Sequence, residues 1–130
     1  MQLATAARRV ILAPGDRHMI VRDGNLQLTH DAERHSCRPS VDVLFESVAE
    51  EYGPAAAACL LTGMGRDGAL GLLKIRQAGG TTIAQDETTS VVYGMPREAV
   101  ALGAAMHVLR LDEIATHLAA LQPATMEARA

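Results

Sequence analysis

Residues 55–61 form a nearly unbroken apolar run that stops at Thr62-Gly63-Met64-Gly65-Arg66-Asp67-Gly68, and Ala69, Leu70, Leu72 and Leu73 follow at helical spacing. An apolar run of that length reads as a strand covered on both faces. Strand, glycine turn and helix in that order form the unit of an open parallel sheet, in which ligands and chemistry collect at the carboxyl ends of the strands. Gly79-Gly80 closes the helix, and Thr81-Thr82-Ile83-Ala84 is a second short strand ending at Gln85-Asp86-Glu87. The crossover predicts two parallel strands with a right-handed connection.

The remaining chain follows the same logic. His18-Met19-Ile20-Val21 and Leu26-Gln27-Leu28-Thr29 flank Asp23-Gly24-Asn25, an Asp-Gly hairpin signal. Ser40, behind Pro39, reads as the N-cap of a helix carrying Val41, Leu44, Phe45, Val48 and Tyr52 on a face that packs on a sheet; Gly53-Pro54 ends it. Pro96 stands in the first turn of a helix that ends at Gly103, Met106-His107-Val108-Leu109 is a last strand, and residues 112–121 form a closing helix with Ile114, Leu118 and Leu121 on one face. Residues 10–12 are a short apolar run stopped by Ala13-Pro14-Gly15-Asp16. Residues 31–38 and 88–94 read as loops, and residues 1–7 and 123–130 as unpatterned ends. The fold class is α/β, a mainly parallel sheet with an antiparallel hairpin, in one domain of 130 residues.

Composition narrows the functions. A single Phe, two Tyr and no Trp leave little for base stacking, and a formal charge of −3 gives no basic field, so neither nucleic acid nor an anionic membrane is an expected partner. No run approaches the roughly 20 apolar residues of a membrane span and no charged-then-apolar leader opens the chain, so it reads as cytoplasmic without membrane insertion. Cys37 and Cys59 lack the C-x-x-C spacing of a zinc or redox site, and Cys59 reads as a small buried hydrophobe. His30 and His35 read as solvated loop histidines, and neither metal nor cofactor is expected.

The central turn admits several chemistries. Gly63-Met64-Gly65-Arg66-Asp67-Gly68 satisfies the dinucleotide pattern G-x-G-x-x-G, with Asp86 downstream as a ribose partner. Asp67, however, puts a negative charge where a pyrophosphate would approach. Asp67 reads either as a cap on the helix that follows it or as the acidic member of a Ser-His-Asp triad, orienting a histidine.

Five ordered blocks carry a resemblance. Ala13-Pro14-Gly15-Asp16-Arg17-His18-Met19, Arg38-Pro39-Ser40-Val41-Asp42-Val43-Leu44-Phe45, Leu61-Thr62-Gly63-Met64-Gly65-Arg66-Asp67-Gly68-Ala69, Ala84-Gln85-Asp86-Glu87 and Gly94-Met95-Pro96-Arg97-Glu98-Ala99 together resemble the catalytic domain of the chemotaxis protein-glutamate methylesterases (CheB-type), from about Arg9 to about Leu118. The resemblance implies a doubly wound α/β hydrolase, present here as a partial sheet, that removes methyl esters from glutamates of methyl-accepting chemoreceptors and in some members deamidates glutamines. It implies that Asp67 is the triad aspartate, that Met64 and Gly65 border the oxyanion site, and that a receiver domain controls access in the phosphorelay.

The resemblance also implies a nucleophilic Ser and a basic His located before the Ala-Pro-Gly block. The serines present are Ser36, Ser40, Ser47 and Ser90, none in a strand-turn-helix elbow, and His18, His107 and His117 match no base position. An aspartate alone cannot perform acyl transfer, so the expectation is a truncated domain, inactive by itself. A non-catalytic receptor-binding or regulatory module, with a surface near Arg97, Glu98 and residues 16–19, is the alternative, and a dinucleotide-binding fragment a second one. The strand at 55–61 is expected to expose an edge that pairs with a second copy or with a complementary chain.

Overall fold

A computed structural model describes residues 9–121, so the unpatterned ends at 1–7 and 123–130 lie outside the described residues. Strands β1 (His18–Arg22) and β2 (Asn25–Thr29) pair antiparallel. Both residues of the connecting turn, Asp23 and Gly24, have positive φ (53° and 76°), the primed geometry that an Asp-Gly pair favours. Helix α1 (Val41–Tyr52) begins behind Ser40, whose hydroxyl accepts from the Val43 amide, and ends at Gly53, where a 3₁₀ turn (Gly53–Ala55) takes over. Its Ser47 hydroxyl accepts from the Val21 amide and its Glu51 carboxylate from the Gly24 amide, which fastens the hairpin to the helix.

Strand β3 (Ala57–Leu60), helix α2 (Ala69–Gln77) and strand β4 (Thr81–Gln85) make the crossover, and β3 and β4 are parallel as the pattern requires. Helix α3 (Met95–Ala101), strand β5 (His107–Leu109) and helix α4 (Leu111–Ala119) complete the chain, giving a parallel sheet of order β3-β4-β5. One sheet face, with Ala58 and Leu60 of β3, joins Leu72 and Ile75 of α2 and Ala99 of α3 in the core; Val41, Phe45 and Val48 of α1 pack against that cluster. Helix α1 lies mainly on α2 and β1.

The covering of both faces expected of β3 fails there, and β4 is the strand that is buried throughout. Thr82, Ile83, Ala84 and Gln85 are all buried, and α4 with its buried Ile114 packs on β4. In β3 the side chains alternate: Ala58 and Leu60 are buried while Ala57 is exposed and Cys59 half-buried. Cys59 is thus only partly the buried hydrophobe its neighbours suggest; even so, burial pushes its thiol pKa up. Val10 and Leu12 join no element and are largely exposed.

Candidate functional site

The turn that follows β3 is held from behind. The Gly63 amide donates to the Val92 carbonyl and the Gly63 carbonyl accepts from the Met95 amide, while the Thr62 amide donates to the Gln85 side chain. Gly68, at φ 97°, lies so close to α1 that a Cβ would sit 2.6 Å from Leu60 and 2.9 Å from Val41. That close approach delivers the Asp67 side chain to the start of α1.

The carboxylate of Asp67 is buried and accepts three hydrogen bonds there. Its Oδ1 accepts from the Ser40 hydroxyl at 2.8 Å and the Asp42 amide at 3.0 Å, and its Oδ2 accepts from the Val41 amide at 2.6 Å. Asp67 is therefore a helix cap, but on α1. The cap predicted on its own helix is absent: α2 starts at Gly68, which offers no side chain. Sequence distance concealed this, since the partners lie 25–27 residues upstream. The first amides of α1 have no intrahelical partner and its positive end faces the carboxylate, so the charge is well placed.

The reverse arrangement completes the junction. Asp42, in the first turn of α1 and 0% exposed, accepts from the Gly71 amide of α2 through Oδ1 at 2.7 Å. Its Oδ2 lies 2.8 Å from Nε2 of His35. Each helix is thus capped by a carboxylate that belongs to the other. His35 corrects the reading of a solvated loop histidine: its side chain is largely buried against Asp42. His30 does remain exposed, 3.5 Å from Asp16, and helps Arg38 hold the Asp16 carboxyl below its ordinary pKa. Neither Asp42 nor His35 was legible as a site residue; an acid in the first turn of a predicted helix was the available signal for Asp42, and His35 had none.

Ser40, His18 and Asp67 are neighbours without forming a relay. The Ser40 hydroxyl donates straight to the carboxylate, whereas the imidazole of buried His18 accepts from the Ser40 amide through Nδ1 and meets the Ala32 carbonyl through Nε2. A triad needs the histidine between the other two. Ser47 and Ser90 spend their hydroxyls on the Leu44 and Asp86 carbonyls, and the rings of His107 and His117 stack 4.5 Å apart on β5 and α4.

A cleft of about 590 Å³ opens beside Asp67, lined by His35, Ser36, Cys37, Met64, Gly65, Arg66 and Glu98. Met64 is 83% exposed at its rim. Burial first, then the nearby Asp67 and Glu33 charges, raise the pKa of the Cys37 thiol, which disfavours its reactive thiolate. Ligand atoms of His35, Asp42 and Asp67 lie within 4.8 Å of one another, which brings a cation to mind. Each of their carboxylate oxygens, however, already faces a hydrogen-bonding group: Ser40, three backbone amides and His35 between them. The dinucleotide reading loses its supports in the same way, because the Gly63 amide is bonded to Val92 and Asp86 to Thr89.

The family model described as CheB methylesterase matches residues 2–118. The chain belongs to the CheB methylesterase family. It is 57% identical over 112 residues to a protein-glutamate methylesterase/protein-glutamine glutaminase of Pseudomonas aeruginosa, covering 83% of this chain and 32% of that protein. It is 52% identical over 110 residues to the protein-glutamate methylesterase FrzG of Myxococcus xanthus, covering 84% and 33%. The crystal structure of the Thermotoga maritima CheB methylesterase catalytic domain superposes with a TM-score of 0.77 at 38% identity, over 82% of this chain and 58% of that one. The α/β architecture, with its parallel sheet and antiparallel hairpin, is that of the CheB catalytic domain, and the chain spans about a third of the length of these curated relatives. No helix among the described residues is long and apolar enough to cross a membrane.

Proposed function

We propose that this chain supplies the acidic member, Asp67, of a Ser-His-Asp hydrolytic centre that cleaves methyl esters of chemoreceptor glutamates, and that the serine and the histidine come from a complementary polypeptide segment. The observation that carries this is the unfinished coordination of Asp67. A carboxylate offers about four acceptor positions, and among the described residues Oδ2 accepts from the Val41 amide alone. One position is left for an imidazole N–H, on a side chain that lines the cleft.

In that assembly Asp67 orients the histidine and stabilises its positive charge. The histidine takes the proton of the serine hydroxyl as the oxygen attacks the ester carbonyl, methanol leaves with that proton, and water then releases the glutamate by the reverse sequence. Met64 and Gly65, at the rim, border the oxyanion that forms at the carbonyl. Every serine and histidine of the chain lies within residues 18–117, and Ser40, His18 and His35 bond Asp67 or other groups without forming a relay, which supports the reading that the chain alone does not turn over.

The complementary segment has a place to bind. Among the described residues strand β3 pairs with β4 on one side only, with Ala57 exposed on it and Leu61 exposed just after it, and the matched chain accounts for 58% of the Thermotoga maritima domain; the proposal puts the complementary segment on that side. The want of a Ser-His-Asp relay among the described residues equally suits a second reading, a non-catalytic receptor-binding module. Methanol release from a methylated receptor separates the two. The enzyme reading expects none from the chain alone and turnover when it is combined with the preceding portion of the Pseudomonas aeruginosa relative, lost in Asp67→Asn. Receptor binding with no turnover in any combination supports the module.

A further inference from the structure

We infer that His35 and Asp42 form a positioning pair that sets where Asp67 stands; the inference rests on the reading of Asp67 as the triad acid. Asp67 owes its place to the first turn of α1, through the three hydrogen bonds it accepts there. What fixes that turn relative to α2 is Asp42, the one residue of α1 that is fully buried. Its bond to the Gly71 amide closes a ring of interactions: α2 entry to α1 through Asp67, and α1 back to α2 through Asp42. Gly71 has to be glycine for this, since a Cβ would stand 3.0 Å from Asp42 Oδ1 and 2.7 Å from the Phe45 Cβ.

His35 holds the other oxygen of Asp42, and the chain accepts local cost to put it there. His35 and Ser36 both lie in the left-handed region, at φ 54° and 59°, without a glycine between them. Such conformations are unfavourable for residues other than glycine and persist where the surroundings over-determine them. Here the Arg34 and Cys37 backbones bond each other across the turn, and Arg34 makes a two-pronged pair with Glu46 of α1 at 2.7 and 3.0 Å. The turn is therefore clamped to the same helix whose first residues hold Asp67. His35 acts through Asp42 and is a positioning residue.

The test has two arms. In the assembly with the complementary segment, His35→Ala lowers kcat roughly tenfold or more, as misplacement of a catalytic group does, while KM stays within about twofold. His35→Gln, whose amide can still donate to Asp42, recovers most of kcat. In the full chain alone, the NMR amide signals of Val41, Asp42 and Gly71 shift and exchange faster in His35→Ala and return in His35→Gln. Unchanged kcat and unmoved amides in His35→Ala overturn the inference. So does a kcat loss that His35→Gln fails to restore although the variant is as stable as the parent. If Asp67→Asn leaves turnover intact, the triad reading falls instead, while the amide arm still reports on the pair.

Discussion

The junction of α1 and α2 and the free side of β3 are built from neighbouring stretches of chain, yet one is finished and the other open. At the junction two buried carboxylates share five hydrogen bonds, three on Asp67 and two on Asp42. At β3 an apolar side chain reaches solvent just past a strand whose second edge is unpaired among the described residues: Leu60 is 2% exposed and Leu61, the next residue, 41%. A densely hydrogen-bonded polar cluster rigidifies what it holds, whereas an uncovered apolar surface invites a partner. The difference teaches that the chain holds Asp67 firmly in place while, among the described residues, the surface beside β3 stays uncovered.

Breaking the junction has the largest expected effect. Asp42→Ala strands His35 and the Gly71 amide and so unties from α2 the turn that holds Asp67, a cost of about 1–3 kcal/mol for each stranded group, read by urea denaturation. Next comes the step along β3: Leu60→Ala costs about 2–4 kcal/mol, while Leu61→Ala in the isolated chain changes stability by less than about 0.5 kcal/mol. Once the complementary segment is bound, the second substitution weakens the assembly measurably. Gly71→Ala follows at about 1–3 kcal/mol, since steric crowding outweighs the gain in helix propensity.

The smallest effect is electrostatic. The two-pronged bond from Arg34 holds the Glu46 carboxyl below its ordinary pKa, against the opposing pull of partial burial. A lowered folded pKa contributes stability that is present above the unfolded carboxylate range and is lost as pH falls through the lowered value. Glu46→Gln should therefore remove part of the acid sensitivity below about pH 4.5, by less than about 1 kcal/mol for so accessible a pair. Denaturation midpoints of parent and variant between pH 3 and 7 converge at the acid end.

Local chemistry made most of the scaffold readable. The Asp23-Gly24 turn, the Ser40 cap, the Gly53-Pro54 stop and Pro96 each act within a few residues, and each stands where the pattern puts it. Asp67 was legible as the residue that matters at the end of β3, but its partners were not, because Gly68 turns it toward amides 25–27 residues away. The misreading of His35 has the same origin: a polar loop residue is solvated unless a distant carboxylate meets it, and Asp42 does. For β3, an apolar run reports that both faces can be covered, without saying that this chain covers them. Ala57 and Leu61 show the difference.

A crystal structure of the chain bound to its complementary segment tests the central claim most directly. The account predicts a histidine of that segment with a ring nitrogen about 2.6–3.2 Å from Oδ2 of Asp67, its other nitrogen facing a serine hydroxyl, and the bonds from Ser40, Val41 and Asp42 still in place. An assembly in which the incoming histidine and serine pair with each other while Asp67 keeps only its α1 partners would contradict it.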